Sequence, residues 1–239
     1  SRNYVDKAIR YARRMGDWHG AAEAYQVSAS GYYQEGKSLE AIENFQKSIQ
    51  MIGNRPAAFL LGKLYSDISV VYWAVNNSKE GIASAQKAVG ILEKTKNKYQ
   101  TAIAYNNLGT NLLLSGDWSK AKDFLERANN LAREIDHPHL ASFICSMGEL
   151  DLLRCNYEEA EKQFISALKL SEQKENEWYS VQILYHFARC LLAQNKTSSA
   201  LETAQKTIRQ CEKINESRYK SLTKVVLAES YFRQKKIRE

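Results

Sequence analysis

Proline and glycine are scarce in this sequence: only 2 prolines and 11 glycines occur among its 239 residues. A β-rich fold needs a turn every ~8–12 residues and usually spends more of both residues on those turns. Alanine, leucine, glutamate, lysine and glutamine recur along the whole chain, and all five favour helices. The composition therefore predicts an all-α fold.

Long apolar runs and paired cysteines are missing as well. No apolar stretch approaches the roughly 18 residues of a membrane-spanning helix, and no signal-peptide pattern is visible. The cysteines Cys145, Cys155, Cys190 and Cys211 form no C-x-x-C pair, which fits a reducing compartment better than a disulfide framework. We therefore expect a cytoplasmic protein that does not associate with a membrane.

Charge of one sign is not concentrated in any long run. The net charge of +7 arises from 34 basic and 27 acidic residues, and solvated helix faces account for the small basic groups better than a nucleic-acid footprint does. The four histidines lack zinc-ligand spacing, and no G-x-S-x-G motif occurs. We expect no nucleic-acid binding, no metal or other cofactor, and no enzymatic activity.

One stretch, GYYQEGKS at residues 31–38, matches the phosphate-loop pattern G-x-x-x-x-G-K-[ST]. A phosphate loop requires a buried strand before its first glycine, but the preceding run, HGAAEAYQVSAS, predicts a helix that continues through Gly31. The N–H groups inside a helix are already bonded along the chain and cannot surround a phosphate. We interpret the stretch as the turn between two helices rather than as a nucleotide site.

An internal repeat organises the whole chain. Five segments align on a small residue that follows a short polar turn, and these residues are Ala41, Gly81, Ala121, Ala160 and Ala200. Their spacings are 40, 40, 39 and 40 residues. Further small or apolar residues follow at offsets of 4 and 7, on the same helix face, where a neighbouring helix can approach closely. A second amphipathic run precedes each turn, so each unit is predicted to be helix A, a turn and helix B.

The third copy, AYNNLGTNLLLSGDWSKAKDFLERANNL, resembles the tetratricopeptide repeat (TPR) consensus. Tyr105 stands at the family's Trp position, Leu108 and Gly109 at its Leu-Gly pair, and Gly116 at its turn glycine. Each copy is about six residues longer than the usual ~34, as in kinesin light chain and in large bacterial transcription activators. The resemblance implies a right-handed superhelical solenoid of antiparallel helix pairs that serves as a binding scaffold.

The same register divides the chain. We expect one solenoid domain over residues 1–239, with five full repeats and a half repeat at each end. The predicted segments are 1–17 (helix B of a preceding repeat), 18–55, 56–96, 97–136, 137–175 and 176–215 (the full repeats), and 216–239 (helix A of a sixth). Because a solenoid needs polar capping repeats, we expect the chain to be part of a longer protein.

The resemblance also implies a concave groove lined by the A helices. The candidate partner-binding residues occupy the groove positions copy by copy: Gln26, Ser30, Tyr33, Ser66, Asp67, Trp73, Asn106, Asn107, Thr110, Ser146, Glu149, Tyr185, His186 and Arg189. Uncharged donors and acceptors can satisfy a peptide backbone, and aromatic rings supply stacking area. An apolar stripe nearer the turn is either a groove floor or packing between repeats; it comprises Tyr33, Trp73, Leu113, Leu152, Leu192 and Phe232.

Two functions remain open at this point. The leading hypothesis is a non-catalytic interaction domain that binds an extended peptide or a partner helix, as the regulatory part of a larger intracellular protein. The alternative is a module of a bacterial transcription regulator that senses a small molecule or a signalling peptide. The lysine, asparagine and arginine set with which chaperone-binding TPRs hold a C-terminal carboxylate is missing, so that kind of clamp is not expected. The oligomeric state is left open.

Overall fold

A computed structural model describes residues 2–236, and these residues form twelve α-helices and no strand. The helices are α1 Arg2–Arg14, α2 Trp18–Gln34, α3 Ser38–Ile52, α4 Ala58–Ala74, α5 Ser78–Thr95, α6 Lys98–Ser115, α7 Trp118–Glu134, α8 Leu140–Leu153, α9 Tyr157–Gln173, α10 Glu177–Ala193, α11 Thr197–Lys213 and α12 Arg218–Lys236. The predicted all-α, TPR-like class is confirmed. No described helix combines the length and the apolar character that a bilayer crossing requires.

The chain divides into two compact units, Ser1–Leu131 and Ala132–Glu239. In the first unit α2 pairs with α3 and α4 pairs with α5, while α6 packs against both α4 and α5. In the second unit α8 pairs with α9 and α10 with α11, and α10 also contacts α8 and α12. Each unit is thus built from consecutive helix pairs in which A helices lie beside A helices. That the chain forms one continuous solenoid domain over residues 1–239 stays a prediction.

A residue with a left-handed φ ends each of the five A helices from α2 to α10. These residues are Gly36 (φ 76°), Asn76 (59°), Gly116 (84°), Cys155 (61°) and Asn195 (59°). Glycine adopts this conformation without a steric penalty, and asparagine adopts it more readily than most other residues. The N–H of the turn residue bonds back to the helix end, as from Cys155 to the carbonyl of Leu152 at 3.1 Å. The turn positions that the repeat marks are therefore fixed by backbone geometry.

We expect Cys155→Gly to stabilise the protein by about 0.5 kcal/mol. A Cβ in the left-handed region costs ~1–2 kcal/mol, and the larger unfolded-state entropy of glycine offsets part of that gain. Cys155 is exposed, so little packing is lost. Urea unfolding followed by far-UV circular dichroism measures the change, and the reverse substitution, Gly116→Cys, is the matched control that should lose stability. A lower urea midpoint for Cys155→Gly would contradict this account of the turn.

The stretch that matches a phosphate loop lies in one of these turns. Gly31 is inside α2, and Lys37 is the N-cap residue of α3. The N–H groups of Glu35, Gly36 and Lys37 donate to carbonyl groups in the last turn of α2 at 3.1, 3.0 and 2.9 Å. The interpretation as a turn between two helices is confirmed, and these N–H groups cannot also cradle a phosphate.

Small residues allow the helices within a pair to approach closely. A Cβ on Gly109 of α6 would lie 2.6 Å from the side chain of Leu125 on α7, and a Cβ on Gly148 of α8 would lie 2.7 Å from the ring of Phe164 on α9. Leu125 and Phe164 occupy the offset of 4 in their copies. Close approach at small residues is thus as the repeat pattern predicts, and a Cβ at either glycine would force the facing side chain to shift.

Candidate functional site

Polar side chains join consecutive A helices of the first unit. Gln26 of α2 donates from Nε2 to Oδ2 of Asp67 on α4 at 2.7 Å. Asn107 of α6 donates from Nδ2 to Oγ of Ser66 on α4 at 3.0 Å. In both pairs the partners are 41 residues apart, one more than the usual repeat spacing of 40. Four of the predicted partner-binding residues are thus bonded to one another, and Ser66 is fully buried.

Two adjoining cavities lie along α2 and α4, the larger also bordered by α1 and the smaller by α3, and we call them together the α2–α4 groove. Their volumes are about 410 and 260 Å³, and Ser30, Gln34 and Asp67 line both. The groove is lined by Val5, Asp6, Gln26, Val27, Ser28, Ser30, Gly31, Tyr32, Tyr33, Gln34, Glu35, Phe45, Lys63, Asp67, Val70 and Val71. It brings together four predicted residues, which are Gln26, Ser30, Tyr33 and Asp67.

The register could have added two lining residues that the sequence prediction omits. Gln34 follows Ser30 by four positions and Lys63 precedes Asp67 by four positions, so each shares a helix face with a predicted residue. The carboxylates of Asp6, Glu35 and Asp67 and the ammonium of Lys63 give this lining an excess of negative charge. Burial raises the pKa of the Asp67 carboxyl, whereas the hydrogen bond from Gln26 and the charge of Lys63 lower it.

Asp67→Asn is expected to raise the melting temperature near pH 7 and to change it little near pH 3. Because the pKa of Asp67 is higher in the folded state, its contribution to stability is present below the unfolded pKa and is lost as the pH rises through the folded pKa. Asparagine removes the charge of this half-buried side chain and can still accept a hydrogen bond from Gln26. Differential scanning fluorimetry across this pH range tests the effect, with the exposed Asp123→Asn on α7 as control. Equal melting temperatures near pH 7 would contradict it.

Five other predicted residues of the first unit border neither cavity. They are Ser66, Trp73, Asn106, Asn107 and Thr110, on α4 and α6. Trp73, Asn107 and Thr110 are half-buried, and Thr110 donates to the carbonyl of Asn107 in its own helix at 3.0 Å. Asn106 is buried, and its Oδ1 has no hydrogen-bond partner. A role for these five in partner binding stays a prediction.

The second unit gathers four predicted residues on α8 and α10. Oε1 of Glu149 lies 3.7 Å from Nδ1 of His186 and 3.5 Å from Nη1 of Arg189. The guanidinium of Arg189 lies 5.6 Å from the ring centre of Tyr185. Burial lowers the pKa of His186, and the nearby Glu149 carboxylate opposes that shift. The remaining predicted residue, Ser146, is buried and donates to the carbonyl of Ser142 within α8 at 3.2 Å.

A cavity of about 330 Å³ lies between α10 and α12, and we call it the α10–α12 groove. It is lined by Tyr185, Arg189, Leu192, Ala193, Leu222, Val225, Val226, Glu229 and Arg233. The α12 residues were outside the predicted site, although Val225 and Glu229 stand one repeat of 40 residues after Tyr185 and Arg189. Extending the register into the last half repeat would have found them.

The residues of the apolar stripe differ in how far they are exposed. Leu113, Leu152 and Leu192 are 5–8% exposed, whereas Phe232 is 59% exposed. Tyr33 and Trp73 are half-buried. The leucines are therefore packing residues, which is one of the two readings that the sequence leaves open. Among the described residues, no group of three or more His, Cys, Asp or Glu side chains could hold a metal ion.

The chain is similar in sequence to a mitochondrial TPR protein. Tetratricopeptide repeat protein 19, mitochondrial, of Rattus norvegicus is 32% identical over 99 residues, which are 41% of this chain and 27% of that protein. The chain thus spans about a quarter of the length of this relative.

Two Rap proteins are among the solved structures that share the fold. One is a Rap protein complexed with competence and sporulation factor, with a TM-score of 0.79, 16% identity, and coverage of 91% of this chain and 65% of that one. The other is the Rap conjugation gene regulator of the plasmid pLS20 in complex with the Phr* peptide, with a TM-score of 0.77, 15% identity, and coverage of 90% and 60%. At these identities the likeness shows the fold alone.

A family model described as the MalT-like TPR region matches residues 68–239. This match covers most of the chain and agrees with the helix pairs, the left-handed turns and the close-packed small residues. The TPR resemblance of the sequence is thereby confirmed. The chain belongs to the MalT-like TPR region family.

Proposed function

We propose that the chain is a non-catalytic interaction module that binds an extended peptide segment of a partner in the α2–α4 groove. The observation that carries this proposal is the pair of adjoining cavities, about 410 and 260 Å³, that share Ser30, Gln34 and Asp67. Ligand pockets typically measure ~300–1,000 Å³, so the larger cavity is of a size that accepts a side chain with its backbone. Enzymatic activity is not part of the proposal.

The lining suits a peptide chemically. Ser30 and Gln34 offer a hydroxyl and a carboxamide that can pair with a peptide backbone, while Tyr33 and Val70 provide aromatic and apolar surface. Successive side chains of an extended peptide point to opposite faces at ~3.3 Å per residue. Residues two apart in such a peptide could therefore enter the two cavities. The Rap structure that holds the Phr* peptide has the same fold, and it supports the choice of a peptide over a folded surface.

Ser30→Arg is expected to weaken peptide binding at least tenfold, or about 1.4 kcal/mol, because the longer side chain would project from a position that lines both cavities and obstruct the peptide. The probe is the best peptide selected from a random 12-residue phage library on the unmodified protein, labelled and measured by fluorescence polarisation. Ser119→Arg on α7 is the matched control, since Ser119 is exposed and lines neither cavity. Equal affinities for the Ser30→Arg variant and the control would contradict the site, and a failure to select any peptide would contradict the function.

A small ligand is the competing occupant, because a cavity of about 410 Å³ also suits a sugar or a metabolite. A thermal-shift screen of small molecules separates the two. We expect no small molecule to raise the melting temperature, whereas the selected peptide should raise it by mass action. If a small molecule stabilises the unmodified protein but not the Ser30→Arg variant, the groove binds a small ligand and the peptide proposal is wrong.

We also propose that the protein is cytoplasmic and that this chain is the regulatory part of a larger protein. The rat relative is named as mitochondrial. The compartment therefore needs a test of its own, independent of the binding site. Fractionation of cells that express the native protein answers it, and recovery in the cytosolic fraction is the expected result.

A further inference from the structure

Gln26 and Asp67 form a polar pair that lines the larger cavity of the α2–α4 groove. Nε2 of Gln26 donates to Oδ2 of Asp67 at 2.7 Å. Because a carboxylate can only accept, this bond fixes the orientation of the carboxamide and leaves its Oε1 as a second acceptor. The pair therefore consists of a carboxylate and a carbonyl oxygen that one hydrogen bond holds in place.

No described residue satisfies the remaining acceptors of this pair. Oε1 of Gln26 and Oδ1 of Asp67 receive no hydrogen bond from the described part of the chain. Gln26 is only 8% exposed, yet neither oxygen is fully buried. Since buried polar groups are normally hydrogen-bonded, a nearly buried carboxamide with an open acceptor at a cavity wall indicates a place for the donors of a ligand.

The charge of the groove favours a cation as that ligand group. Among the described residues that line the two cavities, Lys63 alone is basic. Lys63 acts on the pKa of Asp67 through its charge and without a hydrogen bond, and no described residue forms an ion pair with Asp67. Because desolvating a carboxylate without a paired counter-ion is costly, a ligand that brings a cation to Asp67 is favoured.

A lysine or arginine side chain has the donors and the shape that this place requires. An ammonium carries three N–H donors and a guanidinium five, so either can donate to Asp67 and to Oε1 of Gln26. The apolar stem of either side chain can lie along Val27, which lines the same cavity. Asp67 lines both cavities, so the cation can approach it from either one.

We propose that the α2–α4 groove recognises a lysine or arginine side chain of its peptide, whose cation pairs with Asp67 and donates to Oε1 of Gln26. This inference rests on the proposed function, because it names the peptide residue for which the groove is specific. Asp67 supplies the charge, and Gln26 both holds the Asp67 carboxylate and accepts from the cation. An aspartate or glutamate at that peptide position would place a like charge beside Asp67 and is excluded.

The test runs the phage selection in parallel on the unmodified chain and on Asp67→Asn, which keeps an acceptor for Gln26 but removes the charge. We expect the first selection to enrich lysine or arginine at one peptide position, and the second to lose that enrichment. Asp123→Asn on α7, where the side chain is 66% exposed, is the control and should enrich the same basic peptides.

The outcomes separate this inference from the function on which it rests. Selected peptides that lack a basic residue, or the same basic enrichment on Asp67→Asn, would overturn the role of Asp67 and leave peptide binding in place. Failure to select any peptide on the unmodified chain would overturn both.

Affinities of the best peptide, acetylated so that its terminal amine carries no charge, sharpen the result. Changing its basic residue to glutamine should weaken binding to the unmodified chain about tenfold, and the same change should matter little for Asp67→Asn. Because the peptide itself is varied, the comparison holds even if Asp67→Asn alters stability. Equal affinity of the unmodified chain for the basic peptide and its glutamine form would overturn the inference.

The pH dependence of binding provides a readout that a merely structural role of Asp67 would not change. Burial raises the pKa of the Asp67 carboxyl, and protonation removes the charge that pairs with the peptide. The affinity for the basic peptide should therefore fall as the pH drops through this pKa, and Asp67→Asn should lose that dependence. A pH dependence that Asp67→Asn leaves unchanged would contradict the pairing.

Discussion

Phe164→Ala is expected to lower the free energy of unfolding of the second unit by about 3–5 kcal/mol. The ring is fully buried on α9 and fills the space above the backbone of Gly148, where a Cβ would lie only 2.7 Å away. It also stacks on His186 of α10, with 6.2 Å between ring centres and an interplanar angle of 16°. One truncation therefore opens a cavity that α8, α9 and α10 share. Urea unfolding followed by far-UV circular dichroism measures the loss.

The neighbouring residue provides the control. Ile165 follows Phe164 on α9 but is 52% exposed, so Ile165→Ala should cost less than about 1 kcal/mol, as most changes at exposed sites do. If Phe164→Ala were as mild as Ile165→Ala, the second unit would not be held together by the helix-pair core that the repeat describes.

Gly81→Ala is expected to destabilise the first unit by about 1–3 kcal/mol, although alanine stands at this position in the other four copies. Helix propensity alone predicts a gain of about 1 kcal/mol. The added Cβ would overlap Oδ1 of Asn111 on α6. Asn111 is fully buried and is held there by donation from Nδ2 to the carbonyl groups of Ser69 and Asn107 at 3.3 and 2.9 Å. The carboxamide can therefore move aside only by giving up these hydrogen bonds.

Two variants separate this clash from propensity. Gly90 lies in the same helix, and a Cβ there meets nothing within 4 Å, so Gly90→Ala should stabilise the protein by about 0.5–1 kcal/mol. Asn111→Ala removes the carboxamide, so the double variant Gly81→Ala/Asn111→Ala should lose less than the sum of the single losses. Additive losses in this double-mutant cycle would contradict a direct clash.

The helix pairs and their turns were predictable from the sequence because backbone geometry constrains them locally. A turn that reverses the chain needs a left-handed residue, and the repeat marks it at Gly36 and Gly116. Helices that pack closely need small residues at fixed offsets, as with Gly148 beneath Phe164. A spacing of 40 residues reveals both features, since each copy has the same turn and packs its two helices in the same way.

Which candidate residues are available to a partner was not predictable in the same way. Whether a polar groove residue faces a partner or a neighbouring helix depends on side chains one repeat away, as when Gln26 meets Asp67 and Asn107 meets Ser66. The reason for glycine at position 81 likewise lies in Asn111, outside its own copy.

Hydrogen–deuterium exchange with the selected peptide tests the central claim, which is that a peptide binds to the A-helix face between α2 and α4. The account predicts that the peptide slows amide exchange in α2 and α4 in the unmodified protein, but not in the Ser30→Arg variant. The B helix α5, none of whose residues lines the groove, should exchange at the same rate with and without peptide. Protection centred on α5, or protection that survives Ser30→Arg, would contradict it.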